Sequence, residues 1–236
     1  LLTGTYQKEN LRLSIRCFKP QSEILKNIVF NGLPSLSRQG VMTVGNICLN
    51  YASGQYGDAV VAGMSVFNRV LFLGMAVIIG IGQGFQPVCA FNHGAGNNRR
   101  VYEGYKFTVY LSTAFITLFG IVTFIFAPQL ISLFRDDSEV IRYGASALRA
   151  DCLAMPFMGY YMASNMLVQS LRIPAKATVL ALARQGLFYI PLILLLPKFL
   201  GAQGVTYAQA ISDILSVLLT LFIVPKIVKS LRTAEK

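Results

Sequence analysis

The chain has 236 residues, of which 54% are hydrophobic and 13% charged, with a mean hydropathy of +0.56. Soluble domains carry about 25% charged residues, so an ordinary soluble domain is excluded. The formal net charge of +11 falls in short basic runs between apolar blocks rather than on one continuous face, which argues for a membrane topology and against a nucleic-acid surface.

Residues 1–20 are mixed polar and basic and read as a cytoplasmic connector at the membrane surface. With no initial Met and no signal-peptide pattern, Leu1 is expected to lie inside a longer protein. Residues 21–236 then hold six apolar blocks, at about 23–57, 58–91, 104–134, 138–170, 174–196 and 204–228. About 20 apolar residues cross a bilayer as a helix, so the fold class is an all-α membrane protein with six transmembrane helices. Pro34 lies in the first turns of the first span, and Pro128 near the end of the third. Asp136, Asp137 and Ser138 supply a start signal for the fourth span, and Pro174 and Pro197 open and close the fifth. At the end of the second, Gly80, Gly82 and Gly84 predict close helix packing beside Gln83 and Gln86, before a loop carrying His93, Arg99 and Arg100.

Charge between the spans sets an expected orientation. Fourteen Lys and Arg residues fall on one side, among them Lys8, Arg99, Arg172 and Lys229, against Arg135, Arg142 and Lys198 on the other. This places both termini in the cytoplasm of a multi-pass plasma (inner) membrane protein.

Polar side chains inside spans are candidates for function because they cost free energy there. Gln39, Thr43, Asn46 and Asn50 make one helical stripe in span one, with Arg38 at its cytoplasmic end. Tyr161, Asn165 and Gln169 make another in span four, and span two adds Asn68, Arg69, Gln83 and Gln86. Two readings stand: the faces share a water-filled substrate cavity, or the amides bond helix to helix and line nothing. Arg184 in span five and Asp213 in span six fall at similar depth and are expected to form a buried ion pair, as a structural lock or as a coupling site. Asp151, counted back from Arg172, is expected near the outer interface as a solvated cap rather than a proton carrier.

No catalytic constellation or phosphate loop stands out. Cys17, Cys48, Cys89 and Cys152 are far apart and His93 is the single histidine, so neither a disulfide framework nor a metal site is expected.

Gly82-Gln83-Gly84-Phe85-Gln86-Pro87, Phe91-Asn92-His93-Gly94-Ala95 and Arg99-Arg100-Val101 resemble the multidrug and toxic compound extrusion (MATE) family of transporters. So do Gly32-Leu33-Pro34, Gln169-Ser170-Leu171-Arg172, Ala183-Arg184-Gln185, Ile190-Pro191-Leu192 and Ile211-Ser212-Asp213, in order along the chain. The resemblance implies one six-helix lobe, the C-terminal one, of a twelve-helix transporter whose N-terminal lobe is missing from this sequence. It further implies a secondary antiporter that exports drugs or organic cations in exchange for protons or sodium, with no other cofactor, and the lipid bilayer and missing lobe as partners. Some sodium-coupled members carry a glutamate in the first and an aspartate in the fourth helix of this lobe; here Gln39 and Tyr160, Tyr161 and Asn165 stand in those regions. Ion coupling would then rest on the missing lobe or on Asp213. A flippase for lipid-linked precursors, with a cavity of Arg38, Arg69 and Arg184, and a non-transporting membrane scaffold are the alternatives.

Overall fold

The computed structural model describes residues 22–171 and 173–233. The chain divides into two compact units, residues 1–37 and 38–236, and the second holds the side chains discussed below. The connector at 1–20, Arg172 and the side chains of Pro34 and Arg38 lie outside the described residues.

The described residues are helical throughout, with short turns and no strand. In chain order they form α1 (Ser22–Gly54), α2 (Asp58–Gly94), α3 (Asn98–Ile125), α4 (Ala127–Ser132), α5 (Ser138–Cys152), α6 (Met155–Ser170), α7 (Pro174–Leu182), a π-helical segment (Ala183–Phe188), α8 (Tyr189–Leu200) and α9 (Ala202–Thr233). The α2, α3, α7–α8 and α9 stretches are each long and apolar enough to cross a membrane. The other two spans are α1, which carries the amide stripe, and the α5–α6 pair, which is broken at Leu153–Ala154.

Helix α3 shows which solvent the fold is built for. It buries Thr108, Ser112 and Thr123 while exposing Phe107, Leu111, Leu118, Ile121 and Ile125. That is the inverse of a water-soluble helix and fits hydrocarbon outside with small hydroxyl residues at the helix seams. The chain is therefore a multi-pass membrane protein. Inside, α2 packs against α3, α5 and α6, and α9 packs against α5, α6 and α8. The α2–α5 crossing is narrow because Gly63 meets Gly144: a side-chain carbon on Gly63 would sit 3.0 Å from the Gly144 nitrogen.

Local signals set the breaks. The Asp137 carboxylate accepts from the Glu139 N–H at 2.9 Å and the Val140 N–H at 3.4 Å, capping α5. Pro128 lies in the first turn of α4, so the third span stops at Phe126 and restarts as a separate short helix. Pro197 does not close the fifth span. The helix runs on to Leu200 and ends where Gly201 takes φ 59°, a backbone conformation that side-chain-bearing residues avoid. His93 belongs to the last turn of α2 rather than to the loop. Of the three glycines near the end of α2, Gly82 alone meets a neighbour, with its added carbon 2.8 Å from Met166 Cγ, whereas Gly80 and Gly84 face open space.

Candidate functional site

An arginine in the apolar span α7–α8 needs a counter-ion, and α9 supplies it. Arg184 Nε donates to Asp213 Oδ1 at 2.7 Å, and its Nη2 donates to Oδ2 at 2.8 Å. Two parallel charge-assisted bonds are the strongest geometry for such a pair. The Asp213 side chain is 1% exposed and that of Arg184 11%. Gln209, one turn earlier on α9, donates from Nε2 to Asp213 Oδ1 at 2.7 Å.

Arg184 sits in the π-helical segment, whose wider hydrogen-bond ring loosens the normal backbone ladder. The Ser212 hydroxyl donates to the Arg184 carbonyl at 2.6 Å and fastens α9 to the irregular backbone. Tyr161 on α6 donates to the Leu180 carbonyl at 2.8 Å, just before that segment. Gly45 of α1 lies against its other side, where an added carbon would be 3.4 Å from the Gln185 carbonyl oxygen and the Tyr189 ring.

Asp151 belongs to the same neighbourhood, contrary to the expectation of a solvated cap. It is 1% exposed, and its Oδ1 has no hydrogen-bond partner among the described residues. It lies near Asp213 and Arg184, on a helix that packs against α9. Counting back from Arg172 misplaced it because span four is two helices end to end, and Asp151 stands at their joint in the interior.

The amides of span four are engaged elsewhere. Asn165 is buried and accepts a hydrogen bond from Gln169, whose Oε1 accepts from Gln86 Nε2 of α2 at 3.3 Å. Gln86 also reaches Met166 Sδ at 3.2 Å. These residues stitch α2 to α6, and an open groove of about 390 Å³ lies over the seam, lined by Gln86, Pro87, Ala90, Gln169 and Ser170.

The α1 stripe is not drawn into that seam. Gln39, Asn46 and Asn50 are exposed, and their side chains make no hydrogen bond to another described residue. Asn68 is half-buried on α2 and Arg69 exposed. A cavity of about 450 Å³ opens at the C-terminal end of α1, lined in part by Tyr51, Gln55, Tyr56, Pro191 and Lys198. Thus the structure brings Arg184, Asp213 and Asp151 together, links Asn165 to α2 only through Gln169, and leaves the α1 amides on the lobe surface. Sequence reasoning overlooked Gln209, although Thr206, Gln209, Asp213, Ser216 and Thr220 form a visible stripe of helical spacing in an apolar span, all of it buried.

Among the described residues no group of three His, Cys, Asp or Glu side chains converges to hold a metal ion. Cys48, Cys89 and Cys152 are free thiols.

Comparison with known proteins gives one consistent result. The MatE family profile matches residues 34–195. The chain is 22% identical over 218 residues to multidrug export protein MepA of Staphylococcus haemolyticus, covering 92% of this chain and 48% of that protein. It is 23% identical over 212 residues to MepA of Staphylococcus aureus, covering 90% and 47%. A multidrug resistance MATE family transporter of the MOP superfamily, solved in an outward-facing conformation, superposes with a TM-score of 0.81 at 22% identity, over 94% of this chain and 50% of that one. A MOP superfamily transporter from Pyrococcus furiosus, described as having a binding pocket of reverse polarity, superposes with a TM-score of 0.82 at 20% identity, over 95% and 51%. The chain spans about half the length of the curated relatives it matches.

Proposed function

Since the chain belongs to the MATE family of transporters, we propose that it is the C-terminal lobe of a secondary antiporter that exports organic cations or drugs in exchange for protons or sodium. Its partner is an N-terminal lobe, and the two enclose the path between them in an inner membrane, with both termini cytoplasmic. The observation that carries this reading is the α1 stripe. Gln39, Asn46 and Asn50 are exposed on a membrane-embedded lobe and have no side-chain hydrogen bond to another described residue, and an unpaired amide in hydrocarbon costs several kcal/mol, roughly 2 to 7. The stripe therefore faces water, substrate or the other lobe rather than lipid, as a wall of a central cavity does.

The flippase alternative needs free cationic charge in that cavity. Arg184 is neutralised by Asp213 in the lobe interior, which favours the exporter.

The test is export of a fluorescent organic cation from cells making the full-length transporter, compared with its Asn46→Leu/Asn50→Leu variant. Because both amides lack a hydrogen-bond partner among the described residues, the variant should reach the membrane at the normal level and export more slowly. Unchanged export at unchanged membrane level would remove α1 from the substrate path.

A further inference from the structure

The cavity at the C-terminal end of α1 plays no part in the reading above, and its walls divide by chemistry. It holds about 450 Å³, within the range of small-molecule sites, which begins near 300 Å³. Pro191, Leu194 and Leu195 of α8 give it an apolar side, while Tyr51, Gln55 and Lys198 bring polar groups to it. These polar groups stand where both helices end: α1 stops at Gly54, and Lys198 lies in the last turn of α8. Pro191 is seven residues earlier on α8, about 10 Å deeper in the span. The cavity is thus apolar toward the bilayer interior and polar at the membrane surface.

Its openings differ too. The Tyr56 hydroxyl donates to the Pro197 carbonyl at 2.7 Å, which ties the turn after α1 to the last turn of α8 across the water side. Sideways, Tyr51, Leu194 and Leu195 are all exposed. Val44, Ile47 and Tyr51 form an exposed apolar stripe of helical spacing that runs from the cavity along α1 into the depth of the span. Among the described residues Lys198 is the one charged group that lines the cavity. An ammonium has three donors and no acceptor, so the site suits an anion and repels a cation.

We propose that this cavity binds an anionic phospholipid from the leaflet at the Lys198 end, with its phosphate on Lys198 and one acyl chain along Leu194, Leu195 and the Val44–Ile47–Tyr51 stripe. A free anion would leave the apolar side without a partner, and an organic cation would meet an ammonium. Tyrosine and lysine at a span end are the side chains that meet lipid headgroups, and basic pockets between spans are where anionic headgroups bind. A lipid held there bridges α1 and α8, two helices that also touch at Gly45 and Tyr189. The site is independent of the exporter reading, since a lobe that moves any cargo, or none, would hold the same lipid.

The experiment is native mass spectrometry of the full-length transporter in uncharged detergent, offered equal amounts of phosphatidylglycerol and phosphatidylcholine. Wild type should retain phosphatidylglycerol in preference. Lys198→Ala should lower that retention at least about tenfold, the worth of one hydrogen bond to a charged group, and Lys198→Arg should keep it. Leu195→Trp, which fills the apolar side from an exposed position, should also lower it, whereas Arg142→Ala, a basic residue outside the cavity, should not. Equal retention of the two lipids by wild type, or full retention of phosphatidylglycerol by Lys198→Ala or Leu195→Trp, overturns the proposal. So does displacement of the lipid by an equal concentration of inorganic phosphate, which would make this a simple anion site. Displacement by a fluorescent organic cation overturns it as well, by placing the cavity on the export path.

Discussion

Arg184 and Asp213 permit a stability test in which the double variant is more informative than either single. Asp213→Leu leaves a buried guanidinium without its bidentate partner, and Arg184→Met leaves a carboxylate whose remaining donor is Gln209 at 2.7 Å. Breaking a buried pair from one side costs about 3 to 5 kcal/mol, because the surviving charge is uncompensated, whereas replacing both members with apolar residues is near neutral or stabilising. The double variant Arg184→Met/Asp213→Leu should therefore be more stable than either single, with a coupling energy of at least about 2 kcal/mol. The singles should also differ. After Asp213→Leu, Arg184 still has Asp151 nearby, so Arg184→Met should be the costlier change. The assay is reversible unfolding of the full-length protein in lipid–detergent micelles. Single-variant losses that add within about 0.5 kcal/mol in the double would refute the reasoning.

Further outcomes follow from particular contacts. A side-chain carbon on Gly159 would lie 2.5 Å from the Thr113 backbone nitrogen, so Gly159→Ala should push α3 from α6 and cost about 1 to 3 kcal/mol by thermal unfolding. Gly80→Ala, with nothing within 4 Å, should be neutral or stabilising by up to about 1 kcal/mol. Ser212→Ala deletes the donor to the Arg184 carbonyl and should cost about 1 kcal/mol; amide hydrogen exchange should rise within 183–188 and not in α3. A membrane-permeant maleimide should label half-buried Cys48 well before buried Cys89 and Cys152, and equal rates at all three would contradict the packing around α2 and α5.

Much of the architecture was legible because charge and hydropathy punctuate this chain. Asp137 and Pro174 mark helix starts that depend on their own chemistry. Counting depth from the span ends put Arg184 and Asp213 at one level, and the structure pairs them. The same counting failed at Asp151, since a helix interrupted at Leu153–Ala154 is longer than a single crossing needs. The orientation of the amides was illegible for a different reason. Spacing puts Tyr161, Asn165 and Gln169 on one helix face but does not say what packs on it; Gln86 of α2 and the Leu180 carbonyl of α7 supplied the answer. The π-helical segment left no trace in composition, as Ala183–Phe188 holds nothing that forbids an ordinary helix except Gly186.

That wide turn has a further consequence for the chain that follows it. A π turn is an α-helix that has absorbed a surplus residue, so α8 is out of phase with α7. Tyr189 and Ile193 are buried in the shifted phase. Excising one residue to straighten the ladder would rotate α8 by about 100°, swinging both side chains toward lipid and setting exposed Leu187 and Leu194 on new bearings. The irregularity is thus the spacer that lets one span meet Asp213 with its first half and the apolar core with its second.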